Sequence, residues 1–141
     1  MSEDCLFCGI VAGEIPSRTV YEDETTVAFL DVNPLARGHT LVVPKDHHET
    51  VQEMPAELAG DVFQTVRRVG PAVEAAGDGE ATSIAVNNGP ASGQEIPHVH
   101  VHVVPRQPNT GGSPLHRQLT PRPEVSDEEM DDIAGAIADG L

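Results

Sequence analysis

Positive charge is what this chain has least of. Among its 141 residues, 8 are Lys or Arg against 23 Asp or Glu, a formal charge of −15. Lys45 is the only lysine. Nucleic-acid binding rests on a basic footprint that neutralises phosphates, so this balance disfavours it. An acidic, lysine-poor surface suits a protein held in concentrated salt, as in a halophile. There the Debye length shrinks to about 3 Å, and only groups in direct contact govern the binding of an anionic ligand.

Long apolar runs are missing too. No stretch approaches the roughly eighteen residues that suggest a membrane span. Met1-Ser2-Glu3-Asp4 has none of the basic-then-apolar layout of a secretory signal. A cytoplasmic protein with no membrane partner is therefore expected. Cysteine is scarce as well, and two residues cannot build a disulfide framework. Both fall in Cys5-Leu6-Phe7-Cys8, the spacing of a metal or redox pair. A thioredoxin-like pair would sit between a strand and a helix of a βαβ pattern; this one opens the chain, which favours metal. Aromatics are only 3% of the residues, but hydrophobic residues are 38%, enough for one domain with a single core.

What is present reads as α+β. Residues 20–22 and 25–30 flank the turn-prone Asp23-Glu24 and predict a hairpin. Asn33-Pro34 closes the second strand, and Arg37-Gly38 turns the chain into a third at 40–43, stopped by Pro44. Pro55 suits the first turn of a helix, and Leu58, Val62, Thr65, Val66 and Val69 recur at helical spacing. Gly70-Pro71 predicts an end or a kink in that helix. Residues 83–86 form a fourth strand, 87–94 a loop, and a fifth strand follows from His98. Ser126-Asp127-Glu128-Glu129 matches a capping box, opening a short C-terminal helix to about Asp139. The expected architecture is an antiparallel sheet of about five strands with one longer helix on a face. The expected layout is a domain over 1–106, a Pro/Gly-rich loop over 107–125, and a helix and tail over 126–141 within the same domain.

Three imidazoles alternate with valines in His98-Val99-His100-Val101-His102-Val103-Val104. A β-branched run is strand-prone, and a strand turns every second side chain to one face. Core packing accounts for the valines; nothing in it asks for three imidazoles in a row. Such a row could bind metal, attack an electrophile such as phosphorus, or form a structural or pH-sensing cluster. Crowding makes joint protonation costly, so at least one ring should stay neutral near pH 7, as a nucleophile must. The preceding loop favours the second chemistry. Gly89, Gly93 and nearby Asn and Gln residues leave backbone N–H groups and amides free to hold phosphate oxygens.

With Gly93-Gln94 ahead of it, this run resembles the signature of the histidine-triad (HIT) family of nucleotide hydrolases and transferases. Phe7-Cys8-Gly9-Ile10, Gly13-Glu14-Ile15-Pro16, Ala28-Phe29-Leu30-Asp31 and residues 38–45 (Gly38-His39-Thr40-Leu41-Val42-Val43-Pro44-Lys45) resemble further family segments in the same order. The resemblance covers about Cys5 to Arg106 and implies the HIT fold, a homodimer, and hydrolysis of a purine nucleotide at its α-phosphate. Adenosine monophosphate (AMP) phosphoramidates head the expected substrates. The alternatives are a dinucleoside polyphosphate hydrolase on the same fold, or a nucleotide-binding regulatory protein with incidental activity.

Residue by residue, the resemblance makes His100 the nucleophile that forms a nucleotidyl-histidine. His102 assists the leaving group, and His39 supports the cluster. Asp31 would take the ribose hydroxyls, while Phe29, Ile10, Ile15, Val32 and Leu41 would surround the base. Asn87 would lie near the phosphate and leaving group, and Gly93, Gln94 and Glu95 near the α-phosphate. Glu95 is a departure, since the Hint-like branch often carries Ser or Thr there, and a carboxylate donates a hydrogen bond only when protonated. A zinc site of Cys5, Cys8, His47 and His98 is implied in the same way, with His48 as the neighbouring alternative to His47. Such a closed Cys₂His₂ set is structural, so no catalytic metal is expected.

Overall fold

Asp23 closes the first hairpin, joining strands β1 (Thr19–Glu22) and β2 (Thr26–Leu30). Its carboxylate accepts the N–H groups of Thr25 and Thr26 at 3.0 and 2.8 Å and the Tyr21 hydroxyl at 3.0 Å. Desolvation pushes that carboxyl up, but these hydrogen bonds outweigh it and lower its pKa to about 2. Three further strands are β3 (Thr40–Pro44), β4 (Ala81–Ala85) and β5 (Val101–Arg106). They make one sheet in the order β1-β2-β3-β5-β4, with every neighbouring pair antiparallel. The computed structural model describes residues 4–108 and 123–141. The Pro/Gly-rich loop expected at 107–125 therefore lies for the most part outside the described residues.

The two faces of the sheet are covered differently. On one, helix α2 (Ala56–Ala76) lays Leu58, Val62, Val66, Val69 and Val73 over Ala28, Val42, Val99, Val101 and Val103. Thr65 sits in the same buried stripe, and its hydroxyl is satisfied by Thr26 Oγ1 at 2.7 Å. On the other face, Val27, Phe29, Leu41 and Val43 meet Cys5, Phe7 and Cys8 from the short helix α1 (Leu6–Val11). Helix α3 (Asp127–Asp139) opens on the expected capping box, with Ser126 Oγ accepting from Glu129 N at 3.1 Å. Among the described residues no helix is long and apolar enough to cross a membrane.

Three local features differ from the reading of the sequence. Helix α2 runs through Pro71 to Ala76 instead of ending at Gly70-Pro71. A proline in a helix interior costs about 3 kcal/mol, but Pro71 is exposed and Val73, beyond it, is buried. Burying such a side chain returns about 1.5–3 kcal/mol. Helix α1 was not expected; Cys5 caps it, its Sγ accepting the Cys8 N–H at 3.3 Å. Strand β5 starts at Val101, not His98. Pro44 has no N–H to continue the ladder, and its carbonyl takes the His98 ring instead. The alternation survives regardless, because Val99 is buried with Val101 and Val103.

Candidate active site

The imidazole row divides into two clusters on the α1 side of the sheet. In the first, His98 Nδ1 lies 3.3 Å from Cys5 Sγ, 3.6 Å from Cys8 Sγ and 3.2 Å from His47 Nδ1. His47 Nδ1 is 3.3 Å from Cys8 Sγ. Cys5, Cys8, His47 and His98 thus form a group whose donor atoms all lie within 4.8 Å of one another, able to hold a metal ion. Tetrahedral bonds of about 2.3 Å to sulfur and 2.0–2.1 Å to nitrogen space their ligand atoms roughly 3.3–3.8 Å apart, close to what is seen. The tautomer also fits. His98 Nε2 lies 2.8 Å from the Pro44 carbonyl, which can only accept, so the proton sits on Nε2 and the Nδ1 lone pair faces the sulfurs. Burial lowers the His98 pKa to about 4; the Pro44 carbonyl opposes this, and His47, His100 and His48 lower it further.

The second cluster is His39, His100 and His102 with Asp31. His100 Nδ1 lies 2.8 Å from the His98 carbonyl, so Nδ1 carries the proton and Nε2 keeps its lone pair. His39 Nδ1 accepts the Leu35 N–H at 3.0 Å, which places the His39 proton on Nε2. That proton faces His102 Nδ1 at 3.0 Å, with Asp31 Oδ2 at 3.6 Å. Neutral His102 therefore holds its own proton on Nε2. Burial and the nearby His100 and His39 lower the His102 pKa to about 4, partly opposed by Asp31. Burial lowers His39 as well, against Asp31. Asp31, His39 and His102 also lie close enough to share an ion, but the His39 proton points between the other two. A hydrogen-bonded relay accounts for that arrangement.

His39, His100 and His102 open onto a cavity of about 600 Å³. Ile10, Ile15, Phe29, Asp31, Val32, Leu41, Asn87, Gly93 and Glu95 line it with them. Gly9 lets α1 close on this wall, since a Cβ there would lie 3.0 Å from Ile15 Cγ1 and nearer still to Cδ1. Gly93, at φ +98°, ends the 3-10 turn Pro90–Ser92 in a left-handed conformation that favours glycine. Gln94 does not line the cavity. Its Oε1 accepts the Gly89 N–H at 2.7 Å, and its Nε2 donates to the carbonyls of Glu49 at 2.7 Å and Ile96 at 2.9 Å. Those bonds brace the loop instead of facing a ligand.

Sequence reasoning did not place Phe7, Leu35 or Ile96 in this wall. Phe7 meets the rings of His100 and His98 edge-on, with centroids 5.0 and 5.8 Å away. Its position inside the cysteine pair was the available signal, because two cysteines drawn to His98 must bring the residue between them along.

Comparison with known proteins adds to this geometry. The HIT domain family profile matches residues 12–109. A HIT-like protein of Methanocaldococcus jannaschii is 41% identical over 133 residues, covering 94% of this chain and 98% of its own. An adenylylsulfatase of Arabidopsis thaliana is 38% identical over 76% of this chain and 54% of its own. An adenosine 5′-monophosphoramidase of Saccharomyces cerevisiae is 31% identical over 87% of this chain and 85% of its own. Among solved structures, a HIT family protein of Bacillus subtilis superposes with a TM-score of 0.86 at 37% identity, over 99% of this chain and 98% of that one. A zinc-bound histidine triad family protein of Mycobacterium smegmatis superposes at 0.73 and 34% identity, over 96% and 94%.

Proposed function

The chain belongs to the HIT family, and on that premise we propose that it hydrolyses purine nucleotides at the α-phosphate, AMP phosphoramidates foremost, through a nucleotidyl-His100 intermediate. One observation carries the reading. The His98 carbonyl engages His100 Nδ1 at 2.8 Å, so the Nε2 lone pair is the reactive end of a ring that opens into the cavity. A neutral imidazole is nucleophilic without an activated hydroxyl or thiolate.

His100 Nε2 attacks the α-phosphorus, and the bond to the leaving atom breaks with its electron pair. The leaving amine, held by a hydrogen bond from His102 Nε2–H, takes a proton from water and departs. The hydroxide so formed attacks the same phosphorus, the phosphorus–nitrogen bond breaks, and its electrons return to His100. AMP departs, and His102 keeps its proton throughout. Asp31 receives the ribose hydroxyls, the apolar wall from Ile10 to Leu41 receives the base, and the Gly93 loop faces the phosphate. The two named relatives, an amidase and a sulfatase, part from different leaving groups, in keeping with a nucleophile common to both. Cys5, Cys8, His47 and His98 would hold zinc, which ties the start of the chain to the reactive segment.

Quenching a single turnover of lysine-linked AMP phosphoramidate and locating the nucleotide by mass tests this. The expected product is AMP on His100, and His100→Ala should lower kcat at least about 10³-fold while AMP still binds. Turnover near the wild-type rate in that variant would end the proposal.

A further inference from the structure

The sheet face that carries His102 continues past it into a second hollow. Two cavities meet at Leu35, Asn87 and His102: the one described above and another of about 660 Å³ along β4 and β5. Side chains two apart on a strand share a face, and His102, Val104 and Arg106 all line this second cavity. Arg106 is held there from the neighbouring strand, its Nη1 donating to Ser83 Oγ at 2.9 Å. Arg37 joins from the loop before β3. Gly77 seats that loop so closely that any Cβ would collide with the Arg37 carbonyl.

The charge of this lining runs against the rest of the chain. No Asp or Glu lines it, although acidic residues outnumber basic ones 23 to 8. Among the described residues the ion pairs are His39–Asp31 and Lys45–Glu22, so both arginines keep their charge uncompensated. The neighbouring cavity, by contrast, carries Asp31 and Glu95. Guanidinium groups match planar or tetrahedral oxyanions with paired, charge-assisted hydrogen bonds.

We propose that the second cavity is a leaving-group site for substrates bearing an oxyanion (carboxylate, sulfate or phosphate) beyond the scissile bond. The inference rests on the hydrolase reading and specifies its substrate class. Four residues of strand put the Arg106 Cα about 13 Å from that of His102. The Arg106 guanidinium reaches back to Ser83, which pairs with Val104 one same-face position from His102, so it meets a group just past the leaving atom and not the α-phosphate. Asn87, shared by the two cavities, stands where the leaving group would cross from one to the other.

The test compares two AMP phosphoramidates on the full chain, one of phenylalanine and one of phenethylamine, which differ only by a carboxylate. We expect kcat/KM to favour the carboxylate about tenfold. Arg106→Gln and, separately, Arg37→Gln should each shrink that ratio about fivefold. The second variant, in an exposed loop residue, guards against a folding defect in the first. Adenylyl sulfate and diadenosine triphosphate run beside the pair, and the substrate that loses most in both variants identifies the oxyanion. Equal kcat/KM for the matched pair, or variants that slow both members alike, would overturn the site. If neither phosphoramidate is hydrolysed, the hydrolase reading fails. Equilibrium binding of the same two compounds then decides, and the carboxylate must still bind about tenfold tighter and lose that margin with either arginine.

Discussion

His98 and His100 are two residues apart and share a face, yet the chain sets them to opposite tasks. Both rings hold a backbone carbonyl at 2.8 Å, but through different nitrogens. His98 gives its Nε2 proton to Pro44 and turns the Nδ1 lone pair toward two sulfurs; His100 gives its Nδ1 proton to the His98 carbonyl and turns Nε2 outward. His98 is fully buried and His100 borders a cavity. The residue type is the same, so the task is assigned by which carbonyl lies within reach. A bracing half and a reacting half thus sit side by side, joined by the His98 backbone itself.

The largest effect should come from emptying the bracing half. Removing bound metal with a chelator, or replacing Cys8 by Ser, takes away the atoms that pull α1 and the His98 segment together. A structural zinc site carries several kcal/mol of folding energy, so the unfolding midpoint should fall by about 10 °C or more. The reacting half should respond late, with turnover lost only as the protein unfolds. Immediate loss of turnover in chelator, with the fold intact by circular dichroism, would merge the two halves into one catalytic metal site and break the comparison.

A smaller effect separates positioning from attack within the reacting half. His39 donates to His102 Nδ1 and so decides which nitrogen of His102 bears the proton. His39→Leu should lower kcat about 10–100-fold on amine-leaving substrates, less than the roughly 10²–10⁴-fold of a directly acting acid or base because His39 acts through His102, with KM changing little. Adenylyl sulfate, whose leaving group needs no proton, should lose far less. If both substrates slow equally, His39 is packing alone and the relay does not exist.

Much of this contrast was legible in the sequence, and the reason is the period of a strand. Three imidazoles at alternate positions, valines between them and a Cys-x-x-Cys pair announce two chemistries before any coordinates exist. The other strands followed from β-branched runs bounded by turn residues, and the face of α2 from helical spacing. What stayed hidden lacked a period. Helix α1 is six residues long, held by its Cys5 cap and by burial of Phe7 and Cys8, too short to show amphipathic spacing. Pro71 argued for a break that burial of Val73 overrode. The Gln94 side chain is taken up by three hydrogen bonds within its own part of the fold, which leaves its backbone as the group offered to a phosphate. Arg37 and Arg106 come from distant parts of the chain, and only the close seat at Gly77 and the pairing of β4 with β5 bring them to one hollow.

The smallest effect is a slope. Burial, with His100 and His39 alongside, lowers His102 from its ordinary 6.5 to about 4. The folded state thus binds its proton more weakly than the unfolded chain does. For a depressed group the stabilisation is complete above the unfolded value and is lost as pH falls, here between 6.5 and about 4. Protonation at Nδ1 would also set two N–H groups against each other where His39 now donates. His102 is partly exposed and screened by water, so its share should be on the order of 1 kcal/mol. Denaturant unfolding at pH 7 and pH 4 should show wild type losing that much more stability than His102→Gln, whose amide oxygen can still accept from His39 but does not titrate. Since His98 titrates in both proteins, the difference isolates the reacting half. Parallel losses in the two would move the acid sensitivity to the bracing cluster and leave His102 without a part in it.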